Sequence, residues 1–495
     1  MGGNMNNIKH VVYLMLENRS FDNVLGWLYD DNHPPKVTIP AQEKPTYDGL
    51  KPTYFNLDQQ GNKHYVIKGT NNNMHVPSCD PHEEYSHVNK QLFGHQKNPN
   101  KLTQATMSGF YQDFSYFSNP AEEFSGVVTD EIMMSYTPKE LPVLNGLAKN
   151  FAVSDRYFSS VPTQTNCNRA FAACGNSLGL NNGKLEAWVN NRNTSLLGAG
   201  HPEGQQFNQK TFWNVLSEHG KNTPADWIIY NSSGSKVKDL LGVEGYSYTR
   251  DLMEQLQDKS FDPHFSTMDS FFKKAADGQL PSVSFLEPEW GGGFSQLLEG
   301  QGNDYHPPTN LAPGEAFVKQ IYDALTANPQ AWEKTLFIIN FDEHGGTYDH
   351  VPPPWNAAPP WQDDDTTQPE LYEHDFKFDR FGVRVPLILV SPWVPESCVF
   401  RSASEVPFDH TSVIATILKM MGIPKSQWGL GSRTANAPTF EHVFSSNALR
   451  KDIPTIDVNP FAHTNEAILN NTAKNDIQTR RDHFVEGKQG KPASH

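Results

Sequence analysis

Cysteine is scarce in this chain. Four stand in 495 residues, Cys79, Cys167, Cys174 and Cys398, and no two form a Cys-x-x-Cys pair. Such spacing builds neither a disulfide framework nor a zinc knuckle, so all four are expected as buried small hydrophobes, with one disulfide admissible only in an exported protein. The opening residues, Met1-Gly-Gly-Asn-Met-Asn-Asn, lack a basic n-region, an apolar h-region and a small-residue cleavage site, and are expected to carry no export signal. No run approaches the roughly 18 apolar residues of a membrane-spanning helix. Positive charge is also short: 40 Lys+Arg against 56 Asp+Glu leave −16. That balance excludes a general binder of nucleic-acid polymers or anionic membranes. No internal period is present, which excludes a repeat architecture. What is plentiful is aromatic and apolar side chain, 12% and 37% of residues, enough to close a core and exclude bulk disorder. The length fits two to four domains or one large elaborated α/β domain.

Four apolar runs organise the chain. Ile8–Leu16 ends at Glu17-Asn18-Arg19-Ser20, Thr335–Phe341 at Asp342-Glu343-His344-Gly345-Gly346, Val385–Val390 at Ser391-Pro392-Trp393, and Ser282–Leu286 at Glu287-Pro288. Each reads as a buried strand. Gly314–Ala331 has apolar positions three and four apart and reads as an amphipathic helix. Strands alternating with helices predict an open, mainly parallel α/β sheet flanked by helices, whose ligands bind at the carboxyl ends of strands. The polar, Asn/Gly/Pro-rich stretches at about 35–105 and 180–280 are expected as insertions forming a cap or lid. Residues 1–435 are expected as the catalytic domain. Residues 436–495 are expected as an extension with a polar tail, frayed from about Asn470.

Glu17-Asn18 and Asp342-Glu343 each follow a strand directly. Three carboxylates and an amide oxygen converging there would repel one another without a cation between them. Hard oxygen ligands suit Ca²⁺, Mg²⁺ or Mn²⁺ and are compatible with Zn²⁺ or Fe. Each pair reads equally as a solvated strand-end turn. A helix is predicted to start near Asn168-Arg169, behind Thr163-Gln-Thr165. A hydroxyl at such a start sits in a positive field that favours an alkoxide and a bound phosphate, although an N-cap threonine looks the same in sequence. His82, His87, His306, His344, His350 and His410 lie in turn-like contexts, several beside proline, where an imidazole is expected within reach of solvent or ligand.

Taken in order, several strings resemble the bacterial phosphoesterase family of phospholipases C and respiratory-burst-inhibiting acid phosphatases. They are Glu17-Asn-Arg-Ser-Phe-Asp22, Asp155-Arg-Tyr-Phe-Ser-Ser160, Thr165-x-x-Asn-Arg169, Phe341-Asp-Glu-His-Gly-Gly-Thr-Tyr-Asp-His-Val-Pro-Pro-Pro354, Phe381-Gly-Val-Arg-Val-Pro386 and Phe408-Asp-His-Thr-Ser412. The resemblance implies an alkaline-phosphatase-like fold. It implies one divalent metal ion on Glu17, Asn18, Thr165, Asp342 and Glu343, and a phosphothreonine formed on Thr165, with Thr163 as the competing position. It places His306 and His82 as catalytic proton donors at the phosphate, and Asn168 and His350 as substrate contacts. The family pattern Asp-Glu-Asn-Gly-Gly has His344 in place of its Asn here. The expected activity is a metal-dependent acid phosphatase acting on small phosphate esters. The alternatives are a phospholipase C on phosphatidylcholine-type lipids and a non-catalytic calcium-binding surface protein. The family is commonly periplasmic or secreted. Its phospholipases carry C-terminal β-domains where this chain has a polar tail, which tilts the expectation to the phosphatase.

Overall fold

A computed structural model describes residues 4–94, 96, 99–115, 129–191, 194, 205–231, 247–290, 302–361, 368–446 and 448–458. Among them nine strands form one sheet: β1 (His10–Leu16), β2 (Val37–Ile39), β3 (Ala152–Ser154), β4 (Trp227–Asn231), β5 (Phe265–Thr267), β6 (Val283–Leu286), β7 (Thr335–Phe341), β8 (Leu387–Val390) and β9 (Cys398–Phe400). Their order is β5-β4-β6-β1-β7-β8-β3-β9-β2. All pairs are parallel except those of β8, which opposes both β7 and β3. The fold is therefore the expected α/β type, mainly parallel. The central strands are apolar along nearly their whole length because both faces of the sheet are covered, and β7 is buried at every position. Each fully buried aliphatic side chain here stabilises the fold by about 1.5–3 kcal/mol.

Six helices matter for the site: α1 (Phe21–Leu25), α2 (Tyr85–Phe93), α3 (Pro142–Asn150), α4 (Thr165–Cys174), α5 (Leu311–Thr326) and α6 (His410–Met420). Ser20 caps α1 by accepting from Asn23 N at 3.1 Å. Asp409 caps α6 in a reciprocal capping box with Ser412. The predicted helix over 314–331 is α5, starting three residues earlier behind the Asn310 cap and followed by a short turn at Pro329–Trp332. Helix α4 begins at Thr165, three residues before the expected Asn168, and ends on Gly175 in the left-handed region at φ 78°.

The two polar stretches are more than a cap. They supply β2, β4 and β5 to the sheet. Leu50, Val88, Leu92 and Phe93 of the first also pack with Trp27 and Phe110 in a second core. Residues past 435 return to the main core through Phe440, Val443, Phe444 and Ile456, so the described part of the extension is no separate unit. The tail expected from Asn470 lies outside the described residues. The four cysteines are buried and unpaired, as small hydrophobes should be. None of the described helices is long and apolar enough to cross a membrane.

Candidate active site

Register puts the two acidic pairs side by side. Strands β1 and β7 run parallel with His10 opposite Thr335 and Leu16 opposite Phe341. The next residues, Glu17 and Asp342, therefore leave the sheet at one level. Asn18 turns back at φ 53°, a left-handed conformation that is strained for a residue other than glycine. Its N–H donates to Asp342 Oδ1 at 3.1 Å, and Glu343 N donates to the same oxygen at 2.7 Å. The turn after β7 needs its two glycines. Both have positive φ; a Cβ on Gly345 would stand 2.2 Å from Asn18 O, and one on Gly346 would stand 2.6 Å from His82 O. The Asn18 and His82 segments can thus close on the acidic turn.

Glu17, Asp342 and Glu343 are wholly buried. Their counter-charge is Arg169 on α4, whose Nε donates to Glu17 Oε1 at 3.0 Å and to Asp342 Oδ2 at 3.2 Å. Its guanidinium also packs 4.9 Å from the Trp290 ring. One guanidinium does not balance the group. Glu83 adds a further carboxylate, held by the Asn18 amide at 2.8 Å, and Asp304 adds charge near Glu17. Burial, then the Asp342 charge, pushes Glu17 well above the carboxylate range. Burial pushes Glu343 up to about 8. Glu83 is raised by burial and then by Glu343.

Two carboxylate oxygens in this cluster, Glu17 Oε2 and Glu343 Oε1, are buried with no hydrogen-bond partner. Buried orphan oxygens of this kind are costly, and a cation would relieve them. The donor set is one of hard oxygens: Glu17, Asn18 Oδ1, Thr165 Oγ1, Asp342 and Glu343. It fits a divalent ion of the calcium, magnesium or manganese kind.

Thr165 is the first residue of α4, and its Oγ1 donates to Asn18 Oδ1 at 3.3 Å. Thr163 instead donates to Asn190 Oδ1 at 3.0 Å. Asn168, expected as a substrate contact, spends its amide on the chain. Its Nδ2 donates to Thr163 O at 2.9 Å and Gln164 O at 3.1 Å, and its Oδ1 accepts from Val161 N at 3.1 Å. It fixes the turn that delivers Thr165.

Three of the six histidines expected at accessible turns, His306, His344 and His410, are buried. His306 is 3% exposed, donates Nδ1–H to Pro307 O at 2.6 Å, and is lowered by burial to about 4. It feels the Asp342 charge, which places it at the cluster. His82 turns its ring onto His87, 4.0 Å between centroids, while its carbonyl faces the glycine turn. His344 is buried, with Nε2 on Gln91 Oε1 at 2.8 Å and Nδ1 3.2 Å from Glu343 Oε2. His410 is buried beneath the sheet end, bridging Phe341 O at 3.1 Å and Ser160 Oγ at 3.0 Å. His350, the other expected substrate contact, belongs to an ionic lock, with Nδ1 on Asp22 Oδ2 at 2.6 Å and Nε2 on Asp48 Oδ1 at 3.0 Å.

Sequence reasoning passed over three arginines. Arg384 sits in that lock, its Nε on Asp349 at 3.0 Å, Nη2 on Asp22 at 2.9 Å, and Nη1 on Asp48 O at 2.8 Å and Asp155 O at 3.0 Å. Arg19 Nε donates to Tyr305 O at 2.7 Å and orients the segment carrying His306. Arg169 pairs the acids. The signal available was a lone Arg inside an apolar run, as in Phe381–Val390, and buried acid pairs that lacked a partner.

Residues 8–424 match the family model described as "Phosphoesterase family". Non-specific phospholipase C3 of Arabidopsis thaliana is 30% identical over 458 residues, 92% of this chain and 76% of that protein. Non-specific phospholipase C6 of the same plant is 32% identical over 443 residues, 88% and 72% of the two chains. Phospholipase C B of Mycobacterium tuberculosis is 26% identical over 442 residues, 85% and 75% of the two. Among solved structures, a protein in the alkaline phosphatase superfamily from Vibrio parahaemolyticus is 12% identical, covering 60% of this chain and 64% of that one at a TM-score of 0.30, a likeness too slight to build on.

Proposed function

We propose, from the premise that this chain belongs to the phosphoesterase family and is a hydrolase of phosphoric esters, that it cleaves phosphodiesters in the manner of a phospholipase C through a covalent phosphothreonine on Thr165. The observation that carries the reading is the Thr165 hydroxyl, set at the first residue of α4 and hydrogen-bonded to Asn18 beside Glu17, Asp342 and Glu343. The diester stands ahead of the expected monoester because the curated relatives just described are phospholipases C over most of this chain's length. Membership of a family of hydrolases leaves no support for the non-catalytic calcium-binding alternative.

A divalent cation held by Glu17, Asn18, Thr165, Asp342 and Glu343 would supply Lewis acidity, lowering the cost of the threonine alkoxide and of charge on the phosphoryl oxygens. The chain does the rest. The turn fixed by Asn168 holds Thr165 Oγ1 beside Asn18, where it would attack phosphorus. The N-terminal end of α4 adds a positive field for the non-bridging oxygens. Arg169 keeps Glu17 and Asp342 apart in charge and fixed in direction. His306 holds its Nδ1–H on Pro307 O and stays neutral, so Nε2 takes the proton that Thr165 Oγ1 loses on attack and passes it to the departing alcohol. Nε2 then takes one from the water that cleaves the phosphothreonine and returns it to Thr165 Oγ1. His82 brings its carbonyl to the glycine turn while its ring lies on His87.

Turnover of p-nitrophenylphosphorylcholine and of p-nitrophenyl phosphate, each with and without chelator, tests the reading. The diester should be the better substrate, and chelator should abolish its turnover. Thr165→Ala should lose about 10³-fold or more in kcat at an unchanged melting temperature. Preference for the monoester would return the assignment to an acid phosphatase, and full turnover by Thr165→Ala would sink the nucleophile.

A further inference from the structure

We propose that His82, Glu84 and His87 form a separate cation site of the zinc class, distinct from the oxygen-lined cluster. The chain enters α2 through His82-Glu83-Glu84-Tyr85-Ser86-His87. Glu84, the N-cap, has extended backbone at φ −65° and ψ 154°. Side chains alternate along such a segment. Glu83 accordingly reaches the Asn18 amide, while its neighbours His82 and Glu84 turn the other way, toward His87. His87 is three residues past Glu84, on the same side of the first turn. The ligand atoms of His82, Glu84 and His87 consequently lie within 4.8 Å of one another.

Three features fit this cluster to a metal. His87 Nδ1–H donates at 2.9 Å to Asp113 Oδ1, a side chain 2% exposed, which fixes the tautomer and turns Nε2 outward. A carboxylate behind an imidazole is the usual support of a metal-bound histidine. Glu84 makes no capping hydrogen bond, so its carboxylate is not committed to the helix. His87 is 31% exposed and reachable by an ion from solution. Two imidazoles and one carboxylate, with water as a fourth ligand, make a zinc set, whereas the Glu17 cluster offers only oxygens. Tetrahedral zinc holds its ligand atoms roughly 3.3 Å apart. The stacked rings, tilted by 23°, would have to rotate to bring their nitrogens to that spacing.

Occupancy would pin the segment that presents Glu83 to Asn18, so zinc would inhibit; this consequence rests on the proposed function, whereas the site does not. Zinc titration of the whole chain by calorimetry, in excess Mg²⁺, tests the site. One zinc per chain should bind to the wild type and to Asp342→Ala, and affinity should fall by more than about 100-fold in His87→Ala and in Glu84→Gln. Equal zinc affinity in the wild type and both site variants overturns the site. Turnover of p-nitrophenylphosphorylcholine tests the consequence. Without zinc His87→Ala should match the wild type, and zinc should inhibit only the wild type. Inhibition of both alike overturns the regulation and leaves the binding result standing. Absence of turnover by the wild type overturns the functional reading, and the regulation with it, while calorimetry still decides the site.

Discussion

Arg169 is the residue whose removal reveals how the acidic cluster is held. It is the guanidinium paired with Glu17 and Asp342, and all three side chains are almost entirely out of water. Breaking a buried pair from one side leaves uncompensated charge, at a cost of about 3–5 kcal/mol. Arg169→Met should therefore lower the melting temperature by several degrees and lose turnover. Because the freed carboxylates then repel one another, an added divalent cation should recover more stability in this variant than in the wild type. Equal recovery in thermal scans would show that Arg169 is not their counter-charge. At this scale the sequence was legible in part. Glu17, Asp342 and Glu343 were readable because apolar runs end abruptly on them. Arg169 was visible only as a letter in a motif, since nothing in spacing says that a helix residue reaches back to two strand ends. His350 and Asn168 were read without their partners for the same reason. Their partners, Asp22, Asp48 and the carbonyls at 163 and 164, are set by tertiary approach and not by neighbouring sequence.

Elements were more legible than residues. Strands β1, β6, β7 and β8 follow the apolar runs closely, because parallel strands covered on both faces have to be apolar throughout. Strands β2, β4 and β5 were hidden in stretches read as a cap; β2 and β5, three residues each at the sheet's two edges, carry the weaker patterns. What joins these elements is the lock of Arg384, Asp22, Asp349, His350 and Asp48, which ties the start of α1, the turn after β7, the loop at 48 and the segment before β8. Within it, burial alone would lower His350, but Asp22 and then Asp48 outweigh burial and raise it from 6.5 to about 9. The sign follows directly. The protonated imidazole is favoured by folding, so its contribution is complete below pH 6.5 and is lost as pH rises through about 9. At about 1.4 kcal/mol per pH unit, the loss between these limits is about 3 kcal/mol. Urea unfolding from pH 6 to pH 9.5 should show that decline in the wild type and a flatter profile in His350→Gln. Parallel profiles would remove His350 from the lock. A second element, the turn after β7, depends on Gly345. Gly345→Ala should lose cation binding and turnover together, because its methyl would meet Asn18 O at 2.2 Å.

The whole molecule carries −16, yet its proposed substrate is anionic. The conflict disappears once the acidity is located: some of it is gathered in a buried cluster that, under the proposed function, a cation would convert into a phosphate site. Distributed charge and this cluster make different demands on the solvent. Surface repulsion is screened by any salt over a Debye length of roughly 10 Å at 0.1 M. Buried carboxylates with orphan oxygens are barely screened and respond only to an ion that enters. Sodium chloride matched in ionic strength should therefore stabilise the protein slightly, while millimolar Mg²⁺ or Ca²⁺ should do so much more. A ligand at 100 times its Kd adds about 2.7 kcal/mol by mass action. In a chain of this size that is a rise of a few degrees in Tm. Asp342→Ala should abolish the divalent increment and keep the sodium effect, since it removes one charge of many from the total and a central oxygen ligand from the cluster. A divalent increment that survives in Asp342→Ala would mean that the cation acts on the surface, and the metal site built from Glu17, Asn18, Thr165, Asp342 and Glu343 would fall with it.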